Sequence, residues 1–194
     1  MSIYGIGASG YPAVGYGYEN TRKTAAGTNF GGYTETVQKS EMAGGVFVLH
    51  YYDHEEGEKT VGASCGSDYS ISAYIPKDFD PANPVYKVKV WDKDGNLTER
   101  MVDLTKVDPA NCDYIDMFAY SSYLESSGKC TGAQSAFMGS AGYSFGMDGM
   151  RHDDLFEKTN WMDNLKEMME MQYHAGNLKG YLEYKKLWDF LEIT

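Results

Sequence analysis

The chain changes its hydrophobic period once, and that change limits its fold more than any other feature. Between Gly45 and Leu104, β-branched and aromatic residues gather in short runs, GVFVLHYY, EKTVGASC, YSISAYI and the pair VYKVKVW and LTERMV, parted by Gly, Asp and Pro. These read as strands. Their short connections imply antiparallel pairing, while IPKDFDPANP, with Pro76, Pro81 and Pro84, must be a loop because proline would interrupt a ladder.

After Leu104 the spacing turns helical. Asp108-Pro109 offers a cap and a first-turn proline, Ile115, Phe118, Ala119 and Ser122 share one face, and Gly128 stops the run. Asn160 precedes Trp161, Leu165, Met168 and Gln172 at helical spacing; Ala175-Gly176-Asn177 breaks that helix, and Leu178, Tyr181, Leu182, Lys185, Trp188 and Leu191 define a last one. Strands followed by helices describe an α+β domain: an antiparallel sheet of about four or five strands over about 46–104, then helices over about 109–192. One domain, 46–194, is expected, preceded by a segment 1–45 of different composition.

That first segment is rich in Gly and Tyr and poor in branched aliphatic residues, so it buries little surface against the entropy of ordering it. It reads as a flexible tail, with a short helix around Thr34 to Met42 as its only candidate element. Its tyrosines are the sticky elements of such segments. Tyr11, Tyr16 and Tyr18 are therefore the candidate partner-binding residues, toward a protein partner or a second copy of the chain.

Composition excludes several functions. A formal net charge of −11 over 194 residues leaves no basic face for phosphate contacts, so no nucleic-acid partner is expected. No apolar stretch approaches a membrane span, and MSIYGIGASGYPAVGYG has neither a basic start nor an unbroken apolar run, so membrane insertion and a conventional secretory signal are not expected either. Cys65, Cys112 and Cys130 are odd in number and never closely spaced, which fits reduced thiols better than a disulfide frame or zinc site. The expected location is the cytoplasm, or outside the cell by export without a cleaved signal.

Motif matches fail on context. In VWDKDGNLTE, Asp92, Asp94, Gly95 and Asn96 spell the middle of an EF-hand loop, but the first and twelfth positions fall on Val90 and Met101, and the flanks are strand formers. A hairpin turn with Gly95 in the left-handed conformation is the better reading. GIGASG, Gly5 to Gly10, matches a dinucleotide fingerprint without the strand and helix that make it work. GASCG around Ser64 and GYSFG around Ser144 match the nucleophile elbow, again without a strand entering and a helix leaving. No cofactor or metal is expected.

The run NPVYKVKVWDKDGNLTERMVDLTKVDPANCDYIDMFAYSSYL, Asn83 to Leu124, together with the Gly/Tyr-rich start IYGIGASGYPAVGYGYEN, resembles functionally uncharacterised families of Clostridia and related Firmicutes. The resemblance implies a bacterial source and a shared domain, and it transfers no activity or catalytic residue.

Two function classes remain. The first is a non-enzymatic protein-interaction or structural module, an acidic α+β domain with an aromatic tail. The second is a small hydrolase using Cys65 or His152, in which Cys65 would need His50 or His152 within reach, or His152 would be oriented by Asp153 or Asp154. His50 and His54 are four residues apart, about 13 Å in a strand, too far for one ion unless the chain turns at Asp53. His174 suits a helix C-terminus. The interaction reading explains more of the chain, since it gives the tail a role and needs no catalytic constellation.

Overall fold

A computed structural model describes residues 38–42, 45–51, 53–146 and 149–193. Its organising unit is the hairpin of β5 (Val85–Asp92) and β6 (Leu97–Asp103). Gly95 takes φ +84°, and its amide donates to the Asp92 carbonyl at 3.1 Å. The Asp92 carboxylate accepts from the Asp94 amide at 2.9 Å, the Asn96 amide at 2.8 Å and the Asn96 side chain at 2.7 Å. The oxygens that would have faced a calcium ion are committed to closing a turn.

β4 (Tyr69–Ile75) pairs with the other edge of β5, and β3 (Lys59–Cys65) pairs with β4, giving an all-antiparallel sheet in the order β3-β4-β5-β6. A separate two-stranded ladder joins β1 (Gln38–Met42) to β2 (Gly45–Leu49). Two expectations shift here. Gln38–Met42, at the end of the stretch read as a short helix, is a strand, because a partner at Gly45–Leu49 gives its backbone a ladder that weak helical propensity cannot match. GVFVLHYY therefore pairs outside the main sheet, and its strand ends at Leu49.

Pleating sends Ile71, Ala73, Tyr86, Val88, Val90 and Val102 to one face, all buried. Against that face lies α1 (Tyr114–Ser126). The helix begins at an Asp113 cap, whose carboxylate accepts from the Asp116 amide at 2.9 Å, and not at Asp108. Asp108 spends its oxygens on a turn, accepting from the Ala110 amide at 3.0 Å through its carboxylate and from the Asn111 amide at 2.9 Å through its carbonyl. Gly128, at φ +72°, ends the helix as expected.

α1 shows no narrow apolar stripe because it is central: Ile115, Met117, Phe118, Ala119 and Leu124 are fully buried between the sheet and α2 (Ala133–Ser144). α2 has no counterpart among the helices expected from sequence, since AQSAFMGSAGYS is built mostly of small residues with little contrast between its faces. α3 (Trp161–His174) begins at Asn160, whose side chain accepts from the Met162 and Asp163 amides, and α4 (Leu178–Ile193) packs on α2 and α3. Tyr114, Phe137 and Trp161 form the aromatic centre of the helical layer, with centroids 4.9 to 5.9 Å apart. The Trp161 indole N–H is satisfied by the Cys112 carbonyl at 3.1 Å.

Candidate functional site

The opposite face of the sheet is the unusual one. The register places three rows across it: Cys65, Ser70, Trp91 and Leu97; then Ala63, Ser72, Lys89 and Glu99; then Thr60, Tyr74, Lys87 and Met101. An antiparallel sheet with helices on one side ordinarily leaves such a face to water. Here Ser70, Ser72, Tyr74, Lys87, Lys89 and Trp91 are all buried.

The cover is the segment that leads from β2 into β3, residues 50–58. The His50 ring stacks on Trp91 at 4.0 Å with the planes 6° apart. The His50 carbonyl accepts from Ser72 Oγ at 2.7 Å and from Tyr74 Oη at 3.1 Å, and the Tyr51 carbonyl accepts from Thr60 Oγ1 at 2.7 Å. Lys89 donates to the Asp53 carbonyl at 3.2 Å while its ammonium lies 5.5 Å from the Tyr74 ring. Lys87 pairs with Glu58, with Glu55 at 3.2 Å and with Glu99 at 3.9 Å. The division of roles is consistent: in the bonds between the two, the sheet donates and the strap accepts.

A turn holds the acidic end of the strap in place. The Glu58 amide donates to the Glu55 carbonyl at 3.1 Å, the Glu55 amide returns a bond to the Glu58 carboxylate at 3.0 Å, and Gly57 between them takes φ +91°. Electrostatics follow the geometry. Burial pushes the Glu58 carboxyl up, but its bonds to Lys87 and to the Glu55 amide outweigh this and hold it below the usual carboxylate range. Burial likewise opposes the charge on Lys87, yet hydrogen bonds to Glu58 and Glu55 prevail and hold its pKa above the ordinary value. Burial pushes the Tyr74 phenol well above its usual pKa, so it remains a donor.

The sequence-derived candidates fall in three places. Tyr11, Tyr16 and Tyr18 lie outside the described residues, as does Gly5–Gly10. Cys65 ends β3 on the outer face, two interstrand spacings, about 10 Å, from the Trp91 position that carries His50. Burial raises the Cys65 thiol, which disfavours the thiolate a nucleophile needs. His152 lies beyond the end of the sheet: its amide donates to Asp68 at 2.9 Å, its Nδ1 stands 3.2 Å from Asp153, and its ring meets Phe156 edge-on at 5.3 Å. Among the described residues no contact joins it to Cys65. Asp153 and Asp154 belong to a 3-10 turn, Asp153–Phe156, in which Asp154 caps the Arg151 amide at 2.7 Å. Ser64 sits inside β3 and Ser144 ends α2, so neither stands on a strand-to-helix turn.

The chain does turn after His50, so His50 and His54 do not lie along one strand. His50 Nδ1 is 3.8 Å from Asp53, whereas the His54 ring approaches the Glu55 carbonyl at 3.4 Å. Lys87, Lys89, Ser72 and Tyr74 were not singled out by sequence. Their alternation in YSISAY and VYKVKVW marks an outer face, but nothing local says that a segment 22 to 36 positions earlier covers it.

No family model, no curated protein and no solved structure matches the chain. Among the described residues, no helix is long and apolar enough to cross a membrane.

Proposed function

We propose that this chain is a non-enzymatic protein-interaction module whose partner surface is the outer face of the four-stranded sheet. The observation that carries the reading is the way that face already holds another segment of the chain, through donors spread over three strands. A face of this kind recognises chain by its backbone acceptors, with side-chain donors in place of the main-chain donors that a sheet edge uses in peptide recognition. Its margin is open: Leu97 and Met101, on the edge strand β6, are 50% and 52% exposed on either side of Glu99, beside the buried Trp91 and Lys87. The partner is a protein or a second copy, and the tail tyrosines Tyr11, Tyr16 and Tyr18 add contacts to the same partner.

The test is site-specific photocrosslinking. A benzophenone-bearing residue is placed at Met101 and, as a control, at the exposed Lys166 on α3. The full chain is then irradiated in cell extract and alone. A discrete adduct from Met101, to another protein or to a second copy, is expected without a counterpart from Lys166. Equal, diffuse labelling from both positions would overturn the reading.

A further inference from the structure

Resting on that assignment of the outer face, we propose that its ligand is an acidic peptide and that residues 50–58 are a built-in competitor for it. The strap shows what the face accepts. Its carbonyls at His50, Tyr51 and Asp53 stand in for the backbone carbonyls of a bound chain, and the Glu55 and Glu58 carboxylates stand in for acidic side chains. The His50 ring stands in for a flat side chain on Trp91. The floor between these points is small, Ala63, Ser70 and Ser72, which lets a backbone lie close to the sheet.

Two buried ammonium groups, Lys87 and Lys89, set the charge preference. A neutral segment would leave Lys87 desolvated with only Glu99, at 3.9 Å, as a charge partner, which costs more than an exposed pair ever returns. Four of the donor contacts are met by backbone carbonyls, at His50, Tyr51 and Asp53, which a polyphosphate does not offer, so the ligand is a peptide.

Displacement is possible because the strap covers only part of the face. Its bonds run to β3, β4 and β5, and it leaves Leu97 and Met101 on β6 exposed. A longer acidic peptide with apolar residues at one end makes the strap's contacts and adds this margin. Its apparent affinity is reduced by the fraction of chains with the strap closed, so weakening the strap must strengthen the ligand.

The experiment uses the full chain and a fluorescein-labelled peptide of the strap's own sequence, HYYDHEEGE, read by fluorescence anisotropy. E55Q/E58Q removes the strap's ion pairs and leaves the sheet intact. The expected results are faster amide exchange at residues 50–58 and peptide binding about tenfold tighter or more than to the unaltered chain. Adding K87A/K89A should abolish the gain, and a peptide with Asn and Gln replacing Asp and Glu should not bind. Faster exchange with no gain in affinity would overturn the proposal. So would equal binding of the neutral peptide, or displacement by a single-stranded DNA oligonucleotide at equal concentration. Should exchange at 50–58 stay unchanged in E55Q/E58Q, replacing residues 51–56 by glycine and serine at equal length opens the strap, and failure of the acidic peptide to bind that chain overturns the proposal. A Met101 photoadduct that persists while peptide binding fails rejects the acidic ligand and keeps the interaction surface; loss of both rejects both.

Discussion

The two faces of one sheet bury their residues by opposite means. On the inner face, Ile71, Val88, Val90 and Val102 belong to one apolar core with α1, which cannot be rehydrated without unfolding the domain. Polar links, Tyr86 to Ser126 at 2.9 Å and Arg100 to Asp113 and Asp116, join the same two layers. On the outer face, Ser72, Tyr74, Lys87 and Lys89 are just as inaccessible, yet their cover is one strap whose carboxylates can return to water by moving a short distance. Burial by a helical layer is a property of the fold. Burial by a strap can be undone by local opening that leaves the rest of the fold in place.

The largest effect should come from the inner side. Trp161 is 1% exposed and touches both Phe137 and Tyr114 by its ring, so Trp161→Ala should destabilise the domain by about 3–5 kcal/mol. Denaturant unfolding would show it as a fall in midpoint, while exchange at residues 50–58, measured well below the transition, stays as in the unaltered chain. A loss under about 1 kcal/mol would mean that the aromatic centre is not where the core resides.

Lys87→Met comes next and probes the outer side. Removing one partner of a buried ion pair usually costs about 3–5 kcal/mol, because the other charge is left without a partner. Here the strap can lift and rehydrate Glu58, so the global cost should be limited to about 1–2 kcal/mol, within the range of lost charged hydrogen bonds. Amide exchange at 53–58 should rise sharply while that of α1 changes only with global stability. Uniform loss of protection in both would show that the strap and the core unfold as one unit, and the contrast between the faces would collapse.

Acid should separate the faces as well. The Glu58 carboxyl is held low, so its stabilisation is complete above the unfolded carboxylate pKa near 4.5 and is lost as pH falls through its lower folded value. Asp116, at the start of α1, shifts the other way: burial and then the nearby Asp113 charge raise it, outweighing Arg100. A raised acid contributes stability that is present at low pH and lost as pH rises through its folded pKa. Lowering the pH from about 6 toward 3 should therefore loosen the strap before α1, read as exchange at 50–58 corrected for its intrinsic pH dependence. Glu58→Gln should remove most of that dependence. Loss of α1 protection first would reverse the assignment.

The same contrast explains what could be read from the residues alone. The α+β order, the Asp92–Asn96 turn, the Gly128 stop and the Asn160 cap were legible because each is decided within a few residues of chain. α2 was not, because its buried stripe, Ala133, Ala136, Phe137, Ser140 and Ala141, differs little in polarity from its exposed Ser135, Gly142, Tyr143 and Ser144. Helix α1 began later than Asp108-Pro109 implied, because the competing turn at Asp108 was as good a use of the same side chain. The outer face was half legible. Alternation told which side Lys87 and Lys89 take, and the acidic run DHEEGE was visible, but their meeting is a long-range event that neither pattern contains.

The smallest expected effect on stability lies on β6, where neighbouring residues report on opposite faces. Met101 is 52% exposed and Val102 is 3% exposed, one position apart. Val102→Ala removes buried methyl groups from the inner face and should cost about 1–3 kcal/mol once the residual cavity is included. Met101→Lys and Leu97→Thr keep strand-compatible side chains in solvent, where substitutions stay within about 0.5 kcal/mol. If the outer margin serves recognition, those two variants should unfold at the same denaturant concentration as the unaltered chain and yet lose the photoadduct formed next to them, with the probe moved to Glu99. A drop in stability matching that of Val102→Ala would show that the margin is covered in the folded protein and belongs to its core. Unchanged stability together with an unchanged adduct would place the partner on another surface, and the outer face would then be a second, polar core of the domain.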